Sequence, residues 1–148
     1  MSKDDDTKLK LIGKNQEDLR TISAYSQDSI VNLKDIVFLK ENRTFIMIAN
    51  RFKWEDIEKG FFRQNRRIRC AIKFEEVLAV KSKNINQGIK NKPLELLTME
   101  SKIKDDNCEI NFFFSGNSVI ILLVEAIDIV MQDLSKPWKV KHAPAHKI

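Results

Sequence analysis

Between residues 35 and 124 apolar and polar side chains alternate in short runs rich in β-branched and aromatic residues, the two-residue period of half-buried strands. Residues 35–39 and 44–52 flank Lys40, Glu41, Asn42 and Arg43, which read as a hairpin loop. The clearest strand covers 67–74, where Ile68, Cys70, Ile72 and Phe74 share one face and Arg67, Arg69, Ala71 and Lys73 the other. Another covers 77–82, followed by a polar loop over 83–93. Residues 94–100, 108–114 and 119–124 then form an antiparallel meander, turning at 104–107 and 115–117. Upstream, 9–12 make a short strand closed by Gly13. Asn15 caps a helix over 16–29 whose first turn holds Glu17 and Asp18, and whose weak apolar face is Leu19, Ile22, Ser26 and Ile30. Residues 126–134 fit both periods, and the alternation of Ile127, Ile129 and Met131 favours a strand. Pro137 is expected to end the regular structure, with Trp138 folding back on the core.

The order of elements predicts an α+β fold, one N-terminal helix on a mostly antiparallel sheet of about seven to nine strands, strongly curved or barrel-like. A pleckstrin-like topology suits that strand count by analogy. At 148 residues the chain is one domain's worth. We expect a disordered leader over 1–7, a globular domain over 8–140 and a flexible basic tail over 141–148. With 43% hydrophobic and 32% charged residues, a wholly disordered chain is excluded. The longest aliphatic run, 119–124, is far short of the roughly 20 residues that span a bilayer. The first residues, rich in both Lys and Asp, lack the pattern of a secretory signal, so a cytoplasmic location without membrane contact is the expectation.

Charge changes the picture by its distribution. Lys and Arg number 26 against 21 Asp and Glu, but residues 61–92 carry nine basic and two acidic groups, and 93–133 carry two and eight. Lys (19), Ile (18) and Asn (11) are abundant, the bias of A/T-rich coding DNA. Against that bias, four of the seven arginines, Arg63, Arg66, Arg67 and Arg69, fall in one window of seven residues. With Lys73 they form a candidate anion site for a phosphate, a carboxylate or RNA, since guanidinium offers a planar fork to oxyanions. The competing reading is a solvated basic face neutralised by the acidic segment. Residues 59–66 begin like the aromatic submotif of an RNA-recognition domain and depart from it at Phe62, Arg63 and Arg66.

Candidate chemistry adds little. His142 and His146 are four apart, but Pro144 breaks the helix that would aim both at a metal. Cys70 and Cys108 are far from any paired-cysteine pattern and read as reduced core thiols. Glu125 and Asp133 are the carboxylates best placed for acid or base work. No phosphate loop, nucleophile elbow or zinc motif is present, and neither cofactor nor metal is expected. The expected function is therefore a non-enzymatic binding or interaction module. The alternatives are polyanion binding through the strand 63–73 and an enzyme acting on an anionic substrate. Phe113, Val119, Ile121 and Leu123 oppose the buried residues of their strands, so both faces of that hairpin are apolar and a homodimer is a further expectation.

Several segments together resemble a small alphaproteobacterial family, the domain of unknown function numbered twenty-nine forty-eight. They are residues 50–55, residues 66–69 leading into 74–82, and residues 124–127 with Asp133, Leu134, Trp138, Pro144 and His146. The resemblance runs from Leu9 to His146. It implies a freestanding single domain and brings no activity, cofactor or catalytic residue. It draws attention to Arg51, Trp54, Arg67, Arg69, Glu125, Asp133 and Trp138, which carry the match.

Overall fold

The computed structural model describes residues 8–58, 65–89 and 91–140. In chain order the elements are β1 (Lys10–Gly13), α1 (Gln16–Ser26), β2 (Ile30–Asn32), β3 (Ile36–Leu39), β4 (Thr44–Phe52), α2 (Trp54–Glu58), β5 (Arg66–Phe74), β6 (Val77–Lys83), β7 (Pro93–Lys104), β8 (Asn107–Phe114), β9 (Ser118–Val124), β10 (Ile129–Asp133) and β11 (Trp138–Lys139). All described strand pairs are antiparallel and follow the path β1-β10-β5-β4-β2-β7-β8-β9-β6, with β3 beside β4 and β11 beside β5. The expected α+β class holds, and the sheet is curved and open rather than closed.

Curvature arises at a corner where two paired strands bend together. β5 continues through Glu75 and Glu76 into β6, and β9 continues through residues 125–128 into β10. Glu75 N–H donates to the Asp128 carbonyl at 2.9 Å and Glu125 N–H to the Glu76 carbonyl at 3.0 Å, so the ladder survives the bend. Glu76 takes a left-handed φ of 61° to make it. The inward faces of both halves then meet, with Phe45, Phe74 and Phe112 mutually packed at ring centroid distances of 5.1 to 6.1 Å.

Asn15 caps α1 as expected, its side chain accepting the Asp18 N–H at 2.8 Å. Leu19 and Ile22 enter the core, while Ser23 Oγ accepts the Met99 N–H of β7 at 2.9 Å. The approach to β1 is tight, since a Cβ at Gly13 would lie 2.9 Å from Ile22 Cδ1. The helix ends at Ser26, three residues earlier than its periodicity suggests. Gln27 leaves helical dihedrals and Asp28 has φ 64°, which releases Ile30 to pair with both Asn50 and Glu95.

Within residues 126–134 the strand holds for Ile129–Asp133, and the ambiguity ends because Ile129 and Met131 are needed in the core. Two expectations are corrected. Regular structure resumes beyond Pro137, where Trp138 pairs opposite Arg67 on the edge of β5. Trp138 does not fold into the core and stays 40% exposed. The eleven strands among the described residues exceed the expected number, because short pieces such as β2 and β11 have too few residues to show a period. The hairpin residues Phe113, Val119, Ile121 and Leu123 are half-buried. The expected leader 1–7 and tail 141–148 lie outside the described residues. Among the described residues no helix is long and apolar enough to cross a membrane.

Candidate functional site

Two places in the fold combine unusual chemistry with geometry, and they lie at opposite ends of β4. The inward stripe of that strand reads Phe45, Met47, Ala49 and Arg51, so the alternation that fills the core ends on a charge. Arg51 is fully buried. It sits opposite Ile68 of β5, whose other neighbour, β10, places Asp133 opposite Cys70. The guanidinium reaches past β5 to Asp133, with Nε to Oδ1 at 2.9 Å and Nη2 to Oδ2 at 3.0 Å. It also donates from Nη1 and Nη2 to the Glu55 carboxylate on α2, at 2.9 and 2.7 Å. Asp133 Oδ2 additionally accepts the Leu9 N–H at 2.9 Å, which ties the start of the described chain to β10.

A second buried group adjoins the first. Asp56 accepts two donors from Arg66, Nε at 2.8 Å and Nη2 at 2.9 Å, and lies 3.4 Å from Lys53 Nζ. Arg51, Lys53 and Arg66 thus stand against Glu55, Asp56 and Asp133, three charges of each sign. Burial opposes the charge on Arg51, but Glu55 and Asp133 more than offset it and hold its pKa above the ordinary arginine value. Such a network fixes geometry at a large desolvation cost and leaves little donor capacity for a ligand.

The arginine strand is less free than its sequence suggests. Arg63 lies outside the described residues. Arg66 is engaged by Asp56. Arg67 Nη1 donates to the carbonyls of Asn50 at 2.9 Å and Asp28 at 3.2 Å, and its guanidinium lies 6.0 Å from the centre of the Phe52 ring. Burial lowers the Arg67 pKa, against the pull of Asp28 and Glu95. Arg69 pairs with Asp35 at 3.8 Å and Lys73 with Glu75 at 3.4 Å, both side chains half-exposed on the same face. The strand's counter-charges come largely from residues 35–75 rather than from the acidic segment 93–133. Trp54 Nε1 donates to the Gln27 carbonyl at 2.9 Å and joins α2 to the end of α1.

The two carboxylates considered for acid–base work do not meet. Asp133 is held by Arg51, whereas Glu125 sits at the corner paired with Arg43. Arg43 directly precedes β4 and Arg51 stands near its far end, so most of an extended strand, roughly 25 Å of backbone, lies between them. Cys70 and Cys108 are free, and burial pushes the Cys70 thiol up to about 12.

At the other end of β4 the stripe begins on Phe45, and there the wall of the sheet is open. Ile36 and Phe38 of β3 face Val80 and Ser82 of β6 across a hollow of about 280 Å³, floored by Phe45 and Ile120 and bounded by Leu33, Ile85, Lys81 and Gln87. A narrower recess continues from Leu33 and Ile85 toward Ile89, Leu94 and Lys92. Neither is lined by an Asp or Glu. The segment forming one wall is tethered, because Gln87 Nε2 donates to Ser82 Oγ at 3.1 Å, Asn84 Nδ2 to the Asn117 carbonyl at 2.9 Å and Ser118 Oγ to the Asn84 carbonyl at 2.8 Å. Sequence reasoning missed this hollow, since its residues belong to four separate elements. It also missed Lys53, Glu55 and Asp56, although Arg51 and Asp133 at the ends of apolar alternations were a readable signal.

The family model described as "Protein of unknown function (DUF2948)" matches residues 9–146, and the chain belongs to that family. Neither a curated protein nor a solved structure matches it.

Proposed function

We propose that this DUF2948 member is a non-enzymatic binding module, a rigid curved sheet that presents a site and performs no bond-making step. One observation carries the reading: Asp133 and Glu125 are each engaged by a different arginine at opposite ends of β4 and do not converge with Arg67 and Arg69 in one cleft. A general acid or base must reach the proton it transfers, and Asp133 is enclosed by Arg51 and the Leu9 N–H. The test is incubation of the purified protein with a small-molecule cell extract, followed by mass spectrometry of bound and free fractions over time. A module retains a compound in fixed proportion to protein without consuming it. Time-dependent loss of a component that is abolished by Asp133→Asn or Glu125→Gln in a folded variant overturns the reading.

Polyanion binding is the second reading, supported by the shared, half-exposed face of Arg69 and Lys73. It requires RNA to displace Asp35 and Glu75. Titration of fluorescent single-stranded RNA tests it, with a salt slope of about −0.7 per phosphate contact as the signature. Equal weak binding by wild type and Arg67→Ala/Arg69→Ala removes it.

A further inference from the structure

The hollow lies where the sheet would close if β3 and β6 paired. The two walls meet at one end, where Val77 N–H donates to the Arg43 carbonyl at 2.9 Å, and among the described residues no other backbone bond crosses the gap. β6 pairs with β9 alone and β3 with β4 alone, so each turns a free edge to the hollow. In an antiparallel ladder successive residues turn their N–H and C=O alternately toward the partner and away from it. Val77 faces away from β9, as its bond to Arg43 shows. The bulge before Ala79 then sets Ala79 and Lys81 toward β9 and leaves Val80 and Ser82 facing the gap. The same register turns the side chains of Val80 and Ser82 inward, opposite Leu122 and Ile120, and those of Lys81 and Lys83 to the outer face, opposite Ile121 and Val119. Lys81 therefore borders the hollow with its main chain, and the hollow combines a polar strand edge with the apolar side chains of Phe38, Phe45, Val80 and Ile120.

An edge with unpaired N–H and C=O groups beside side-chain pockets accepts a further strand. The outer face of β6 decides which. Lys81 and Lys83 are exposed there, and among the described residues neither has a carboxylate partner. A second copy pairing through β6 would set these lysines against their own kind, which opposes it, whereas acidic side chains at the facing positions are favoured. The tethers from Gln87, Asn84 and Ser118 hold the far end of the edge in place without a partner, which lowers the ordering cost of binding. We propose that the edge of β6 binds an extended segment of a partner protein in which apolar and acidic residues alternate. The segment pairs antiparallel with Val80 and Ser82, turns its apolar side chains into the hollow and sets its carboxylates beside Lys81 and Lys83. The inference rests on the binding-module reading and gives it a site and a partner class.

Nuclear magnetic resonance titration of the intact protein with end-blocked peptides tests it, read at the backbone amides. Glu-Leu-Glu-Leu-Glu shifts the Val80 and Ser82 amides, saturates, and slows their hydrogen exchange. Lys-Leu-Lys-Leu-Lys binds about tenfold more weakly, and Lys81→Glu/Lys83→Glu reverses that order, as expected for cross-strand charge pairs. N-methylation of the acidic peptide at its leucines, whose N–H groups face β6 in this register, abolishes the shifts. Ser82→Pro removes the edge donor without touching the ladder to β9 and has the same effect at Val80; should that variant misfold, the N-methylated peptide still decides. Undiminished binding of the N-methylated peptide overturns the strand pairing. Equal affinity for the two peptides overturns the acidic partner. Absence of saturable shifts at Val80 and Ser82 overturns the site, and self-association of the free protein through these amides overturns the choice of a partner protein over a second copy. None of these results touches the module reading, which falls only to turnover in the extract experiment.

Discussion

β4 carries one inward stripe from end to end, yet its two termini solve opposite problems. At the Phe52 end the stripe closes on Arg51, and the fold supplies carboxylates from α2 and β10 until the charges balance. At the Thr44 end the stripe opens on Phe45, and the fold leaves apolar surface uncovered between β3 and β6. A charge-capable residue type is therefore a poor guide to function in this chain, because the most buried charges are the most completely engaged. Uncovered surface is the better guide, and it lies where no ionisable constellation drew attention.

The charged end gives the largest expected effect. Arg51→Met strands a buried carboxylate and should cost about 3–5 kcal/mol in urea unfolding. Adding Asp133→Leu should recover about 2 kcal/mol, because it removes the stranded charge. A double variant no more stable than the single one would show that the network is not what the arginine supports. At the apolar end, Phe38→Ala should cost only about 1 kcal/mol, since the ring is half-buried beside the hollow. A loss as large as that at Arg51 would erase the distinction between the two ends.

Thiol chemistry sharpens the same contrast. Cys108, half-buried on β8, should react with a disulfide reagent in the native state, and Cys70 only on unfolding. The Cys70 thiol titrates near 9.0 when unfolded and near 12 when folded. The native state then holds more protons in that window, so this contribution to stability is intact below about pH 9 and declines as pH rises toward 12. Equal reaction rates for the two thiols would contradict the burial on which that sign depends. The smallest effect is expected at the exposed pair of Lys104 and Glu109, 3.1 Å apart. Lys104→Ala should change stability by less than about 0.5 kcal/mol, and a larger change would mean that surface pairs here behave like the buried ones.

Most of the sheet was legible because its strands are long enough to show a period. The inward set of β5 matches the alternation residue by residue, and Asn15 is the cap that its side chain and position suggest. The errors have local causes. A helix face cannot reveal that Asp28 will turn the chain with a positive φ, so Ile30 was assigned to α1 instead of β2. Trp138 was assigned to the core on hydrophobicity, whereas its strand is held by backbone pairing to the edge of β5, which side-chain pattern does not encode. Of the site, Arg51 was marked by the family resemblance and Asp133 as a carboxylate suited to acid or base work. Their mutual contact was not, because it spans three strands whose order the sequence leaves open. The arginine cluster was visible, but its engagement with Asp35, Asp56 and Glu75 depended on that same order.

The pairing of β1 with β10, clasped by the Leu9 N–H on Asp133, sets the first described strand beside one of the last. The backbone is therefore nearly a loop, and the order in which its elements are read is not essential to the structure it makes. Joining residue 148 to residue 1 through a flexible linker and reopening the chain at the tight turn between Lys104 and Asn107 should give a circular permutant with the same sheet. The new ends would fall on an exposed hairpin tip, away from both the arginine network and the hollow.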